Sequence, residues 1–208
     1  MTTISHPFDI LLRGLPVVFC GINPSPRTAE TGHNFGSPSN RFWRALHLSG
    51  FTPHPFDAEE DRLLLRFGCG ITAAALRPTR SASDISREEM KASKMHFLGK
   101  MALYSPNTIA FLGKQAFSAF SDTSLVEWGR QSLDIAGSAT WVLPNPSGLN
   151  RAFPLDRLVE HYAALRIALS APLQDWQSAV EKRPENLNPH SSSDDHPHQV
   201  DLPAGYRH

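Results

Sequence analysis

At 208 residues, 40% hydrophobic and with 20 basic and 20 acidic side chains, the chain has the size and apolar content of one globular domain and no formal net charge. Zero net charge argues against a protein that binds nucleic acid through bulk positive charge, so a local basic patch is the most that we expect. The sequence has no run of about 18 apolar residues and no secretory pattern at its N-terminus, and its two cysteines are too few for a disulfide framework or an iron–sulfur cluster.

Strand and helix signals alternate along the chain. In chain order, the predicted elements are a strand at 16–20, a helix at 41–48, a helical segment at 57–67, a strand at 69–72, a helix at 86–103, a strand at 108–112, a helix through 120, a strand at 140–143 and a final long helix at 155–169. Asn40 and Ser86 are the expected N-caps of two helices. In the segment 57–67 we expect Leu63, Leu64 and Phe67 on one side.

Strands separated by helices predict an α/β fold, in which three α/β/α layers enclose a short, mostly parallel central sheet. We expect residues 1–180 to form this domain. Residues 181–208 are rich in Pro, Ser, Asn, Asp and His and poor in large apolar side chains, so we predict a disordered tail there. We interpret the histidines of this tail as solvated side chains rather than as metal ligands.

Three loops follow predicted strands and carry similar polar residues. The first loop, Gly-Ile-Asn-Pro-Ser at 21–25, follows the first strand, and the second loop, Asn-Pro-Ser-Gly-Leu-Asn-Arg at 145–151, follows the last. The third, Gly-Lys-Gln at 113–115, follows the strand at 108–112. Ligands of open α/β sheets bind beyond the carboxyl ends of the strands, so we expect the three loops to line one cleft.

Asn23 is the candidate for chemistry in the first loop. Its amide does not titrate near neutral pH, so it is not a general base in the ordinary sense. Its carbonyl oxygen can hold a water and its nitrogen can donate to an oxyanion, while Pro24 restricts Asn23 to an extended conformation. A simple turn after a strand is the alternative, which the spacing alone favours.

Other loop residues suggest contact with a flat ring and with phosphates. Phe35 has little regular structure of its own to pack on, so it is either a stacking platform or a plug at the core edge. Leu149, between the flexible Gly148 and the cation Arg151, suits an apolar wedge in a base stack, with an ordinary exposed loop as the alternative. Lys114 begins a helix, where a cation opposes the helix dipole, which suggests a DNA phosphate as its partner.

Three further polar side chains have a plainer interpretation. His33 is expected to be a solvent-facing loop residue. Arg41 and Arg44 form either part of a basic rim or a solvated helix face.

Taken together, these motifs resemble the mismatch-specific uracil-DNA glycosylases, the bacterial branch of the group that includes thymine-DNA glycosylase. The resemblance covers about residues 8–170 and rests on several motifs in family order. They are G-I-N-P at 21–24, G-H-N-F-G-S-P-S-N-R-F-W at 32–43, C-G-I-T at 69–72, R-P-T at 77–79, L-G-K-Q-A at 112–116 and L-P-N-P-S-G-L-N-R at 143–151.

The resemblance implies a monofunctional glycosylase that acts on double-stranded DNA. Such an enzyme flips uracil, mainly from G·U mispairs and with ethenocytosine or thymine as further substrates, into a pocket and hydrolyses the N-glycosidic bond to leave an abasic site. It further implies a monomer in the cytoplasm that needs no metal or cofactor and does not associate with membranes.

Roles for the residues around the base follow from the same resemblance. Asn23 would position the attacking water, and Phe35 would stack on the flipped base. Backbone groups around Ile22 and Phe35 would contact the polar edge of the base and stabilise the departing anion. Asn145 would help to hold the flipped nucleotide.

The resemblance also implies a DNA-binding wedge in the second loop. Gly148, Leu149 and Arg151 would fill the gap that the flipped base leaves and contact the widowed guanine partly through backbone groups.

Two positions depart from the family pattern, and a third holds an acid that only some relatives have. Ser25 stands where the family commonly has Gly, which keeps open a glycosylase for deaminated purines such as hypoxanthine or xanthine. Ala73 stands where the bacterial mismatch enzyme carries Lys. Asp84 lies where some relatives place an acid, so it is a second catalytic candidate beside the alternative of an exposed acid before a helix. A catalytically inactive mismatch-binding module is the remaining alternative, against which the presence of Asn23 and Phe35 argues.

Overall fold

The computed structural model describes residues 6–80, 84–121 and 125–182. Its strands are β1 (Val17–Gly21), β2 (Cys69–Ala73), β3 (Thr108–Leu112), β4 (Gly129–Arg130) and β5 (Ala139–Leu143). Its helices are α1 (Pro26–Thr31), α2 (Phe42–Leu48), the 3-10 helix (Ala58–Phe67), α3 (Arg87–Tyr104), α4 (Lys114–Ser118), α5 (Leu155–Ala168) and α6 (Ser170–Lys182). Of the helices described, none is long and apolar enough to cross a membrane.

The five strands form one sheet in the order β2–β1–β3–β5–β4. The first four are parallel, and only β4 runs antiparallel, beside β5. Successive side chains of a strand point to opposite faces, and accordingly Phe19 and Cys20 belong to two different apolar clusters. Phe19 packs with Phe42 of α2 and Tyr162 of α5, whereas the cluster of Cys20 includes Phe97 of α3. The predicted three-layer α/β/α fold is confirmed.

The helical segment before β2 is a 3-10 helix, and this changes which of its residues are buried. The prediction assumed 3.6 residues per turn, which places Leu63 on the same side as Phe67. The 3-10 helix has three residues per turn and places Asp61, Leu64 and Phe67 on one side. Asp61 and Leu64 are buried, whereas Leu63 is 38% exposed, so the prediction that Leu63 lies on the apolar side was wrong.

The prediction that the helix at 155–169 is the last one was also wrong. α5 ends at Ala168 and α6 continues from Ser170 to Lys182. Leu173 is buried and the Trp176 indole donates to the Leu65 carbonyl at 2.8 Å, so α6 packs on the 3-10 helix. Pro172 argues against a helix when the sequence is considered alone, because proline breaks helix interiors. Here it lies in the first turn, where a proline is tolerated. The predicted tail at 181–208 starts within α6 and otherwise lies outside the described residues.

Two further elements were not predicted. α1 lies in the segment that the sequence indicated to be loop, and it begins with Pro26 directly after the Ser25 cap. The edge strand β4 is only two residues long, which is too short to give a periodic signal.

Both cysteines, Cys20 and Cys69, are free and buried. Burial in the apolar core raises the pKa of each thiol well above its usual range. Both thiols therefore stay protonated and act as small apolar groups in the core.

Candidate active site

One cavity of about 650 Å³ opens beyond the carboxyl ends of β1, β3 and β5, where the three predicted loops meet. Most of the site residues predicted from the sequence line it: Ile22, Asn23, Ser25, Phe35, Lys114, Asn145, Gly148 and Leu149. Arg151 and Asp84 are not among its lining residues. Parallel strands carry their C-terminal loops to the same sheet edge, which is why residues more than 100 positions apart converge here.

The side chain of Asn23 is held in one orientation. Its Nδ2 donates to the carbonyl oxygens of Pro24 at 3.0 Å and Arg77 at 3.1 Å, and to Thr79 Oγ1 at 2.8 Å. A carbonyl oxygen can only accept, so the amide nitrogen must lie on this side. Asn23 Oδ1 accepts no hydrogen bond from any residue within the described ranges, and it is the acceptor that Asn23 contributes to the cavity.

Asn145 is oriented in the opposite sense. Its Oδ1 accepts from the Ser147 N–H at 2.9 Å, and its backbone carbonyl accepts from Asn150 Nδ2 at 2.9 Å. The amide nitrogen makes no hydrogen bond within the part of the chain that the structure describes. Asn145 therefore contributes donors to the same cavity to which Asn23 contributes an acceptor.

Arg77, whose carbonyl holds Asn23, is itself held by a residue of α3. The Arg77 guanidinium donates to Glu89 Oε1 at 2.8 Å and Oε2 at 2.9 Å. This bidentate pair lowers the pKa of the Glu89 carboxyl. Glu89 also completes the start of α3, where its N–H donates to Ser86 Oγ at 3.1 Å, as the capping pattern predicted.

Asp84 is exposed and lies outside the cavity lining. Its carbonyl oxygen accepts from the Arg77 guanidinium at 2.7 Å. Its catalytic role stays a prediction. Arg151 is exposed as well, beside the tip of the second loop.

Ser25 has a structural task in the first loop. Its Oγ accepts from the Thr28 N–H at 3.1 Å and lies 3.0 Å from Thr28 Oγ1, so it caps α1. The hydroxyl is thus engaged twice within its own helix terminus. These contacts favour a capping role for the Ser25 hydroxyl over contact with a ligand.

Phe35 presents an aromatic ring to the cavity from a strained backbone. Its φ is +56°, a left-handed conformation that a bulky residue rarely adopts. One face of the ring stacks on Phe42, with centroids 4.0 Å apart and planes 28° apart. Since Phe35 also lines the cavity, the opposite face is the one available to a flat ligand.

A buried carboxylate, which the sequence analysis missed, holds the loop of Phe35. Asp61 Oδ2 accepts from the backbone N–H of Asn34 at 3.0 Å and from its Nδ2 at 3.3 Å. The Asn34 amide also donates to the Phe8 carbonyl at 2.9 Å. His33, expected to face solvent, is half-buried, with its Nδ1 3.8 Å from Asp61 Oδ1.

Lys114 is held at the cavity by an aromatic ring. Its ammonium lies 4.8 Å from the centroid of Trp128, a cation–π contact. Arg80, which the sequence analysis did not single out, also lines the cavity. The described lining therefore includes two cations, Lys114 and Arg80, that form no ion pair with a carboxylate in the described ranges.

Among the described lining residues the one carboxylate, Asp9, is neutralised by a buried lysine. Lys100 Nζ lies 2.9 Å from Asp9 Oδ2 and 3.1 Å from Oδ1, and Lys100 is 0% exposed. Asp9 also accepts from Thr72 Oγ1 at 2.7 Å and from the His6 N–H at 2.7 Å, which fills its acceptor sites. Burial lowers the pKa of the His6 imidazole, and Asp9 opposes that shift.

No group of three or more His, Cys, Asp or Glu side chains in the described ranges is arranged to hold a metal ion. The arrangement offers an amide acceptor, amide donors, an aromatic face and two cations around one cavity. Such a set can hold a polar, flat molecule, fix a water beside it and stabilise negative charge that develops on it.

Comparisons with protein families and with solved structures both find proteins similar to this chain. The family model described as the uracil DNA glycosylase superfamily matches residues 9–166, a range that contains every cavity-lining residue from Asp9 to Asn150. The solution NMR structure of a candidate uracil DNA glycosylase from Methanosarcina acetivorans superposes with a TM-score of 0.54 at 24% identity. That match covers 78% of this chain and 95% of the other, and it supports the fold.

Proposed function

The chain belongs to the uracil DNA glycosylase superfamily, and from this premise we propose that it is a monofunctional DNA glycosylase that releases uracil from double-stranded DNA, mainly from G·U mispairs. The motifs at 21–24 and 143–151 favour the mismatch-specific branch. The observation that carries the proposal is the pair of oppositely oriented amides, Asn23 and Asn145, on one cavity beside the ring of Phe35.

Asn23 supplies the water-binding group in this proposal. Its free Oδ1 accepts a hydrogen bond from the water, so that a lone pair of the water oxygen points at the sugar carbon C1′. An amide accepts hydrogen bonds but does not take up the proton, so the water is oriented rather than ionised. The glycosidic bond must therefore break largely by departure of the base, and bases that leave as stable anions are favoured.

The rest of the cavity favours that departure. Negative charge develops on the uracil ring as the C1′–N1 bond breaks. Water then adds its hydroxyl group to C1′, and its other proton passes through solvent to the departing uracil anion. The Asn145 amide protons and the cations Lys114 and Arg80 lie around the same cavity, while Lys100 cancels the charge of Asp9. Preoriented donors of this kind stabilise developing charge more effectively than mobile water does.

The second loop suits entry into a duplex. Leu149 is 78% exposed at its tip and also lines the cavity. An exposed leucine beside the pocket can occupy the space that an extruded base leaves in the stack. Arg151, two residues further along the chain, is exposed and can contact a backbone phosphate.

The test is a single-turnover assay on labelled duplexes that carry G·U, A·U, G·T, ethenocytosine, hypoxanthine or xanthine, with abasic sites revealed by alkali. We expect G·U to be cut fastest, because uracil leaves well and a mispaired base costs less to extrude. Faster release of hypoxanthine or xanthine would assign the enzyme to deaminated purines. Mismatch binding without release of any base would identify a binding module.

Gly148→Ala is expected to slow G·U cleavage by about tenfold through overpacking beneath the wedge. A Cβ at this position would lie 2.5 Å from Ser39 Cβ and 2.8 Å from the Ser39 carbonyl oxygen, so the loop must move. The measurement is the single-turnover rate on G·U duplex at saturating enzyme.

Gly99→Ala is the matched control for this variant. A Cβ at Gly99, which is exposed within α3, meets no atom within 4 Å. That control should leave the rate unchanged and stabilise the helix slightly. Equal rates for Gly148→Ala and the wild type would show that the contact with Ser39 does not set the position of the loop.

A further inference from the structure

Arg41 makes most of its contacts with the second loop and the residue soon after it. Its Nη2 donates to the carbonyl oxygens of Ser147 at 2.6 Å and Asn150 at 3.0 Å. Its Nη1 donates to the Phe153 carbonyl at 2.5 Å, and its Nε to the Pro146 carbonyl at 3.3 Å. The backbone N–H of Arg41 donates to the same Pro146 oxygen at 3.0 Å.

These contacts exclude the two interpretations offered by the sequence. Arg41 is half-buried, and it forms no ion pair with a carboxylate in the described chain. All three guanidinium nitrogens point to backbone oxygens, so the side chain is neither a solvated helix residue nor a free cation at a basic rim. A guanidinium has a rigid fork of donors, which suits a fixed set of several acceptors.

The geometry has a consequence for the wedge. Leu149 lies between Ser147 and Asn150, whose carbonyls both bond to Arg41 Nη2. A loop that is already ordered does not lose further conformational entropy when it enters DNA. Without the guanidinium, the four carbonyls lose their common partner. The loop would then lose conformational entropy when it enters DNA, and this loss would weaken binding.

We propose that Arg41 is the positioning residue of the wedge: it holds the second loop in the shape that inserts Leu149 into the duplex. This inference rests on the proposed glycosylase function. Arg41 acts through Leu149 and does not contact the reacting atoms. Its effect on base release should therefore disappear once the wedge side chain is removed.

The test is a double-mutant cycle with Arg41→Ala and Leu149→Ala, measured as the single-turnover rate on G·U duplex. We expect each single variant to be about tenfold slower than the wild type. The double variant should be no slower than the slower single variant, because coupled residues do not add. Independent, multiplying losses would overturn the proposal, since they are the result expected of a phosphate contact.

Two further variants make the result specific. Arg44→Ala removes an exposed arginine from the same helix and should leave the rate close to that of the wild type. Arg41→Lys keeps the charge but cannot reach four carbonyls, so it should stay close to Arg41→Ala. Full recovery by lysine would show that charge alone is needed and would overturn the proposal.

Hydrogen exchange separates this inference from the proposed function. In the free protein, Arg41→Ala should speed amide exchange in the second loop, whereas Arg44→Ala should not. Unchanged exchange would overturn the positioning role whatever the enzyme cuts. A wild type that releases no base would instead overturn the glycosylase function and the DNA part of this inference with it.

Discussion

Replacing Asn23 by alanine is expected to slow uracil release from a G·U duplex by about 10²–10³-fold, the range found when one preoriented polar group is lost from an active site. The variant removes the side-chain oxygen that Asn23 contributes to the cavity, so the attacking water loses its orientation. Duplex binding should change little, because the wedge and the cations are intact. Single-turnover cleavage and a separate binding titration measure the two effects.

Asn23→Asp is the informative companion to the alanine variant. A carboxylate is a better base than an amide, yet it would place an oxygen where the Asn23 nitrogen now faces the Pro24 and Arg77 carbonyls. Oxygens that both accept repel each other, so the aspartate must turn away, with Thr79 Oγ1 as the one contact able to become a donor. We therefore expect no recovery. An aspartate variant as fast as the wild type would show that those carbonyls do not set the orientation.

Asp84→Ala decides between the two catalytic candidates. Because Asp84 is exposed and outside the cavity lining, its removal should leave the G·U rate within about twofold of the wild type. If Asp84→Ala lost activity while Asn23→Ala kept it, the water would belong to the carboxylate.

The sequence was sufficient to predict the four parallel strands of the sheet, because their signals are local. Four strands are short, mostly buried apolar runs, and the loops that carry the candidate site residues directly follow three of them. The rule that such loops meet at one sheet edge then predicted a common cavity for Asn23, Lys114 and Asn145. The functional roles of these residues stay predictions.

The groups that hold the site could not be predicted, because their partners are distant in sequence. The orientation of Asn23 depends on the Arg77 carbonyl, 54 residues away, and that of the second loop depends on Arg41, 106 residues from Ser147. Asp61 could not be recognised as a structural residue, because its partner Asn34 lies 27 residues away in the sequence. Long-range hydrogen bonds of this kind leave no periodic trace in a sequence.

Lys100→Met is expected to lower the free energy of unfolding by about 3–5 kcal/mol, the usual cost of leaving one partner of a buried ion pair uncompensated. Lys100 is 0% exposed, and its ammonium contacts both oxygens of Asp9. Methionine fills a similar volume, so the loss reports the charge rather than a cavity. Urea unfolding measures this loss. The dependence of the unfolding free energy on urea concentration should be unchanged.

The exposed pair of Arg157 and Glu160 provides the matched control, because its side chains are 57% and 58% exposed. Arg157→Met should cost less than about 1 kcal/mol, since water screens this pair. Similar losses for the two methionine variants would show that the Asp9–Lys100 pair is solvated after all. The distinction bears on catalysis: Asp9 lines the cavity, and a carboxylate without its lysine would oppose the departure of an anionic base. Lys100→Met should therefore slow uracil release even below the unfolding transition, whereas Arg157→Met should not.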